Sequence, residues 1–289
     1  MKKVKKFLNN WILPPNVSYS IKYFKRLFLN YFDNKKIDKK FNDRFKDKHN
    51  NDRCFVVGTG PSIKEQNLKL LKNEFVIGVS GLFMHEDIDF IKPDYYVLPP
   101  VFRSHGDFYK EESFISWLKA MGESLRNDVV MFLDIGDKKY IDKYKIFRDK
   151  QIVWLNYLPF DKNTIIKKIN VLYMPSINSV SETAIQVAIY LGFKEIYIIG
   201  FDHSWYDVEY KHFDDNYMKF FDEEKFKNII WNSTKNEVFM SIHSEIFNKY
   251  KRLYAIKKNI YNANANQNSY VDTFPRVRFE DLLKNKIIH

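Results

Sequence analysis

Residues 196–205 read IYIIGFDHSW. An unbroken apolar run from Ile196 to Ile199 meets Gly200, and after Phe201 the chain turns abruptly polar at Asp202, His203 and Ser204. A short, continuous run rich in β-branched and aromatic residues fits a strand buried on both faces, as strands are in parallel sheets. Ligands of open parallel sheets sit beyond the carboxyl ends of the strands. The stretch therefore predicts a central strand over 195–200 that ends at a crevice lined by Asp202, His203 and Ser204. The local alternatives are a carboxylate that caps loop amides and a histidine hydrogen-bonded within its loop.

Working outward, the segment just upstream predicts a helix over 180–192. Ser179 and Glu182 have capping-box spacing and Gly192 suits the left-handed residue past the helix end. Ala184, Ile185, Val187, Ala188, Ile189 and Leu191 leave it almost no polar face. Such a helix is buried, and its serine-bearing start, SINSVS at 176–181, must point at something. Ser179, Ser181 and the free amides of a first helical turn suit an anion.

Further strands are predicted at 54–58, 75–80, 94–98, 129–133, 151–155 and 252–256. Helical stretches are predicted after 62, near 111–124, and over 138–150, 237–251 and 278–286. Strands alternating with helices imply an α/β fold, a mostly parallel Rossmann-like sheet with helices on both faces. After the first strand comes VVGTGPS, placing Gly58, Thr59, Gly60, Pro61 and Ser62 at a tight turn whose amides can form an anion-binding nest. The dinucleotide fingerprint is not met, since Ile63 replaces its third glycine, and no Gly-Lys-Ser/Thr of a Walker loop follows. After the second strand, GVSG offers Ser80. These loops, the 179–181 helix start and the 202–204 loop are all expected at one rim.

Composition bounds the rest. The chain has 289 residues, 45% apolar and 17% aromatic, enough for a sizeable core. One cysteine, Cys54, rules out an intramolecular disulfide framework and reads as a core residue. No apolar run is long enough for a membrane span. The start, MKKVKKFLNNWILPPN, imitates a signal peptide, but it is interrupted by Asn9 and Asn10 and reads as retained. Of the net charge of +11, nearly all is concentrated in residues 1–50, with 14 Lys/Arg against 4 Asp/Glu; residues 51–289 carry 33 against 32. The chain is thus divided into a basic segment, 1–52, and a body, 53–289. In 20–32, Ile21, Phe24, Leu27, Phe28, Tyr31 and Phe32 recur at helical steps with Lys22, Lys25, Arg26 and Asn30 between them. This basic amphipathic helical extension suits a membrane surface; the alternatives are packing on the body or on a second copy of the chain. Residues 33–52 read as a solvated helix or linker. A neutral body without a reader motif argues against nucleic acid, and scattered histidines with one cysteine argue against zinc.

GTGPSI near the first strand, and SETAIQVAIYLGFKEIYIIGFDHSW before His212 and Phe213, resemble bacterial MptE-like proteins. That group includes flagellin-modifying motility accessory factors and an archaeal 6-hydroxymethylpterin diphosphokinase. More distantly, the same stretches are similar to the lipooligosaccharide sialyltransferases of glycosyltransferase family 42. The resemblance implies a Rossmann-like domain transferring a group from a nucleotide-linked donor with no bound metal. By position, the nucleotide-holding asparagines of the sialyltransferases fall on Thr59, Ser80 and Pro99. Their phosphate-binding tyrosines fall on Ser204, a departure, and Tyr210, a match. Their catalytic histidine falls near Asn232, where no histidine stands, and His212 is the substitute. These departures weigh against a cytidine-monophosphate sugar and leave another nucleotide-activated donor.

The expectation is a glycosyltransferase with a nucleotide-sugar substrate, no cofactor and a glycan or glycolipid acceptor. It would be cytoplasmic and peripheral to the inner membrane through residues 1–50. His212 or His203 would act as base, Asp202 would orient a histidine or bind donor hydroxyls, and Tyr210 would meet the leaving phosphate. One alternative is a pterin-type diphosphokinase using ATP and Mg²⁺, with FDD at 213–215 and FDEE at 221–224 as candidate metal carboxylates. Another is a non-catalytic membrane or polyanion binder.

Overall fold

The computed structural model describes residues 24, 27–100, 111–158, 168–175, 177–204, 235–264 and 269–283. Six of the seven expected strands form: β1 (Arg53–Val57), β2 (Phe75–Val79), β3 (Tyr95–Val97), β4 (Val130–Asp134), β5 (Gln151–Leu155) and β8 (Glu195–Ile199). With β9 (Ile260–Asn262) they make one seven-stranded sheet in the order β5-β4-β3-β2-β1-β8-β9. Every pairing in it is parallel, with Val57 opposite Gly78 on one side and Ile199 on the other. The architecture is α/β and Rossmann-like. A small parallel pair, β6 (Tyr157–Leu158) with β7 (Met174–Pro175), stands apart.

Side chains alternate across the sheet, so each strand feeds two cores. Cys54, Val56, Ile196 and Ile198 point into one, under the helices α6 (Val180–Tyr190) and α7 (Lys235–Ile256). Phe55, Val57, Tyr197 and Ile199 point into the other, under 3-10 turns at Pro61–Glu65 and Leu68–Leu71 and helices α3 (Ile88–Ile91), α4 (Glu111–Ser124) and α8 (Phe279–Leu283). Cys54 is a free, fully buried thiol that burial pushes well above its ordinary pKa. Helix α6 closes as its sequence dictates. Gly192, at φ +87°, directs its amide to the Ile189 carbonyl, and Phe193 directs its amide to Ala188, the paired bonds of a Schellman stop.

Four expectations are corrected. Residues 252–256 continue α7 instead of forming a strand, because Ile246, Tyr250 and Leu253 lie at helical spacing and are all buried. The strand follows at β9. The stretch after Ser62 forms two 3-10 turns, with the Asn67 side chain accepting from the Lys69 amide between them. Helix α5 (Lys138–Tyr144) ends early, where Lys145 turns left-handed. Finally, 33–52 is no solvated linker. Helix α2 (Lys39–Asp43) and the turn after it dock on the body: Ile37, Phe45 and His49 are buried, Asn42 donates to the Trp154 carbonyl and Tyr190 to that of Asn42. The ring of His49 stacks on Phe193 and meets the Tyr95 hydroxyl at 2.6 Å. No described helix is long and apolar enough to cross a membrane.

Candidate functional site

The sheet order reverses direction between β1 and β8. Chain connections leave these two strands toward opposite edges, which opens a crevice at their carboxyl ends. The two segments singled out in the sequence meet there. Past its last residue, β1 continues to pair with β8: the Gly58 amide reaches the Ile199 carbonyl at 2.7 Å, and the Gly60 amide that of Gly200 at 2.9 Å. The Ser62 amide then meets Asp202 Oδ2 at 2.9 Å. A Cβ on Gly60 would stand 2.5 Å from that oxygen and 2.7 Å from the Gly200 carbonyl, so only glycine allows the two loops to approach this closely.

This geometry revises the chemistry expected of GTGPS. The amides of Gly58, Gly60 and Ser62 are spent within the fold, and Pro61 has none. Those three amides are therefore not offered to an anion, and a carboxylate already lies against the loop. Asp202 is buried, and its Oδ1 meets no donor among the described residues. Burial pushes its pKa up, while the Ser62 amide bonded to Oδ2 and the nearby Ser62 side chain pull it back. A carboxylate oxygen accepts hydrogen bonds and repels phosphate. The group it suits is a hydroxyl, such as those of a ribose or a sugar.

His203 follows in a left-handed conformation, φ +52°, and Ser80 at the end of β2 is likewise left-handed, φ +45°. Two non-glycine residues at positive φ on one rim store roughly 1–3 kcal/mol of strain each. The His203 ring is fully enclosed, with Nε2 at 2.8 Å from the Tyr250 hydroxyl. That hydroxyl donates to Ser181 Oγ at 2.6 Å, and Ser181 Oγ lies 2.7 Å from Ser179 Oγ. The three hydroxyls and the imidazole form one hydrogen-bonded chain, in which the direction of the His203–Tyr250 bond depends on the imidazole tautomer. Burial, with the neighbouring His243, drives the His203 pKa down to about 3. The ring is neutral at pH 7 and is not the base poised near neutrality that the sequence invited.

The start of α6 stands at the same rim, because a helix leading into a parallel strand runs against it. Ser179 caps it, accepting from the Ser181 amide at 3.3 Å. Glu182 reaches one residue further back than a capping box requires, to the Asn178 amide at 3.2 Å. Its carboxylate also meets Lys249 of α7 at 3.2 Å with both side chains buried, and desolvation holds its pKa up at about 7. This pair and the Ser181–Tyr250–His203 chain bind α6, α7 and the loop after β8 into one unit.

The same loop is clamped from the far side. Asn264 accepts from the Phe201 amide at 3.1 Å and donates to its carbonyl at 3.0 Å, Ser269 donates to that carbonyl at 2.9 Å, and the Tyr270 amide meets the Asp202 carbonyl at 3.0 Å. None of Tyr250, Asn264 and Ser269 was singled out from sequence. Tyr250 carried one signal, its place on the buried stripe of α7. Asn264 and Ser269 lie in an asparagine-rich run that reads as plain loop.

Of the other expected residues, Ser80 is buried, its carbonyl accepting from the Tyr96 hydroxyl at 2.9 Å, and Ser204 is half-exposed at the end of the described loop. Thr59 is buried and Pro99 half-exposed. His212, Tyr210, Asn232 and the acidic runs at 213–215 and 221–224 lie outside the described residues. Among the described residues no group of three His, Cys, Asp or Glu side chains is placed to hold a metal ion.

Comparison with known proteins adds two findings. A family model described as 6-hydroxymethylpterin diphosphokinase MptE-like matches residues 25–208. Among solved structures, the sialyltransferase CstII from Campylobacter jejuni, in complex with a substrate analogue, cytidine-5'-monophosphate, matches with 16% identity, 79% of this chain and 85% of that chain covered, and a TM-score of 0.44. No curated protein matches.

Proposed function

The chain belongs to the MptE-like family, and from that premise we propose that it is a glycosyltransferase that takes a sugar from a nucleotide-activated donor bound at the β1–β8 crevice. The observation that carries the reading is Asp202 at the point where the sheet order reverses. One carboxylate oxygen straps the two loops together through Ser62, and the other is buried beside them with no described donor. In this reading Oδ1 accepts a hydroxyl of the donor, and Gly58–Ser62, Ser80 and Ser204 line its cleft. The helix start at Ser179 and Ser181, with its dipole, faces the donor phosphate, and Tyr210 donates to it as it leaves. His203, held neutral, positions the loop. His212 takes the proton from the acceptor hydroxyl as the sugar–phosphate bond breaks. The acceptor is a surface glycan such as a lipooligosaccharide, capsule or glycoprotein, met at the inner face of the membrane.

Incubation with a panel of sugar nucleotides, with and without glycan acceptors, tests this. Release of free nucleotide from at least one donor is expected, and the absence of hydrolysis or transfer with every donor refutes it. The family description favours a second reading, a diphosphokinase acting on a pterin-like alcohol. That reading predicts Mg²⁺-dependent AMP release from ATP in the same assay.

A further inference from the structure

The periodicity of 20–32 suits a membrane surface, with packing of the aromatic face on the body as an alternative. In the structure the aromatic face does not pack on the body. In helix α1 (27–35), Asn30 and Asn34 face the body at 1% and 4% exposure, while Phe28 is 64% and Tyr31 58% exposed; Phe24, Leu29 and Phe32 are also exposed. The asparagines are held by Asn156, just after β5, and by the start of β6: Asn30 donates to the Tyr157 carbonyl at 2.9 Å, and Asn156 donates to the Asn30 carbonyl at 3.1 Å and to Asn34 Oδ1 at 3.0 Å. Bonds of this kind offset the cost of burying a polar face, although Asn30 Oδ1, Asn34 Nδ2 and Asn156 Oδ1 meet no partner among the described residues. The bonds fix the roll of the helix and so fix the aromatic face outward.

That face is continuous. Phe28 and Phe32 meet edge to face at 4.8 Å, Tyr31 and Phe32 at 5.5 Å, and the Lys35 ammonium sits 4.6 Å above the Tyr31 ring. A contiguous exposed aromatic patch marks an interaction surface. The segment that bears it is basic in sequence, since residues 1–50 carry 14 Lys/Arg against 4 Asp/Glu while the remainder is balanced, and Lys35 stands at the patch itself. Aromatic rings flanked by lysines match the layered chemistry of a bilayer interface, with rings at the acyl boundary and ammonium groups among anionic headgroups.

We infer that the outward face of α1 is a docking surface for an anionic phospholipid bilayer, and that Phe28, Tyr31 and Phe32 enter it with Lys35 at the headgroups, Lys36 standing beside it in an ion pair with Asp33 at 3.0 Å. The inference shares with the proposed function only the membrane location; its chemistry stands without the transferase reading. The test is co-sedimentation of the full chain with vesicles of phosphatidylglycerol and phosphatidylcholine, compared with phosphatidylcholine alone, for the wild type and Phe28→Ser/Phe32→Ser. Both rings are exposed, so the variant should keep the wild-type melting temperature. Binding to the anionic vesicles, weakened by raised salt and roughly tenfold or more by the double substitution, is expected. Absence of wild-type binding, or binding undiminished in the variant, overturns the inference. So does a concentration-dependent dimer that the variant abolishes, which would assign the face to a second copy. Nucleotide release from a soluble donor reads the crevice alone, so either idea can fail without the other.

Discussion

Asp202→Asn separates the two roles assigned to one side chain. The amide oxygen can still accept the Ser62 N–H now bonded at 2.9 Å, so the strap between the loops survives. The NH₂ replaces the buried Oδ1, turning an acceptor into a donor just where a donor hydroxyl is to be received. A hydrogen bond to a charged acceptor contributes about 1.5–3 kcal/mol, so nucleotide-sugar affinity should fall roughly 10- to 150-fold. Stability should change little, because burial already disfavours the carboxylate. Asp202→Ala behaves differently. It leaves the buried Ser62 amide without an acceptor and should cost about 1–3 kcal/mol of stability as well as the affinity. Calorimetric titration with the donor found in the turnover screen, beside urea unfolding of each variant, measures both quantities. The reasoning fails if Asp202→Asn binds the donor as tightly as wild type, or if the two variants are destabilised equally.

Tyr250→Phe removes the hydroxyl between His203 and Ser181 and should lower stability by about 1–3 kcal/mol in urea unfolding; an unchanged midpoint would deny the chain any importance. Gly60→Ala drives a methyl against Asp202 Oδ2 and the Gly200 carbonyl, and should cost roughly 1–3 kcal/mol and weaken donor binding, both checked by the same pair of assays. The neutral burial of His203 predicts an acid limb. Its folded pKa of about 3 lies below the ordinary 6.5, so between these values the unfolded chain binds a proton that the native one refuses. The stability this group confers is present above pH 6.5 and lost as pH falls toward 3, at most roughly 5 kcal/mol. Glu182, held up at about 7, acts oppositely, its contribution falling as pH rises from 4.5 to 7. The check is therefore the difference between wild type and His203→Asn in unfolding free energy across pH, and parallel curves would refute the assignment.

The sheet was legible because its strands are short, continuous apolar runs closed by glycine or a polar residue, as at Val57–Gly58 and Ile199–Gly200. The rim was legible for the same reason, since chemistry at the carboxyl end of a buried strand follows from parallel topology. What pattern cannot give is the destination of each donor. VVGTGPS does not say by itself that the amides of Gly58, Gly60 and Ser62 go to Ile199, Gly200 and Asp202. Periodicity likewise shows that α1 has two faces without saying which one turns inward; that depended on Asn156, more than a hundred residues away. The run at 252–256 failed as a strand because apolar residues near a helix end satisfy both periods. A base near neutral pH could not be judged from His203 alone, because its burial by Tyr250, Phe247 and His243 is a tertiary fact.

Crystals of the full chain soaked with sugar nucleotides test the central claim most directly. The account predicts density for a nucleotide or its sugar at the carboxyl ends of β1 and β8, with a ligand hydroxyl within hydrogen-bond distance of Asp202 Oδ1 and the ligand against the 58–62 loop. A nucleotide bound at another edge of the sheet, with Asp202 still lacking a ligand donor, would contradict it.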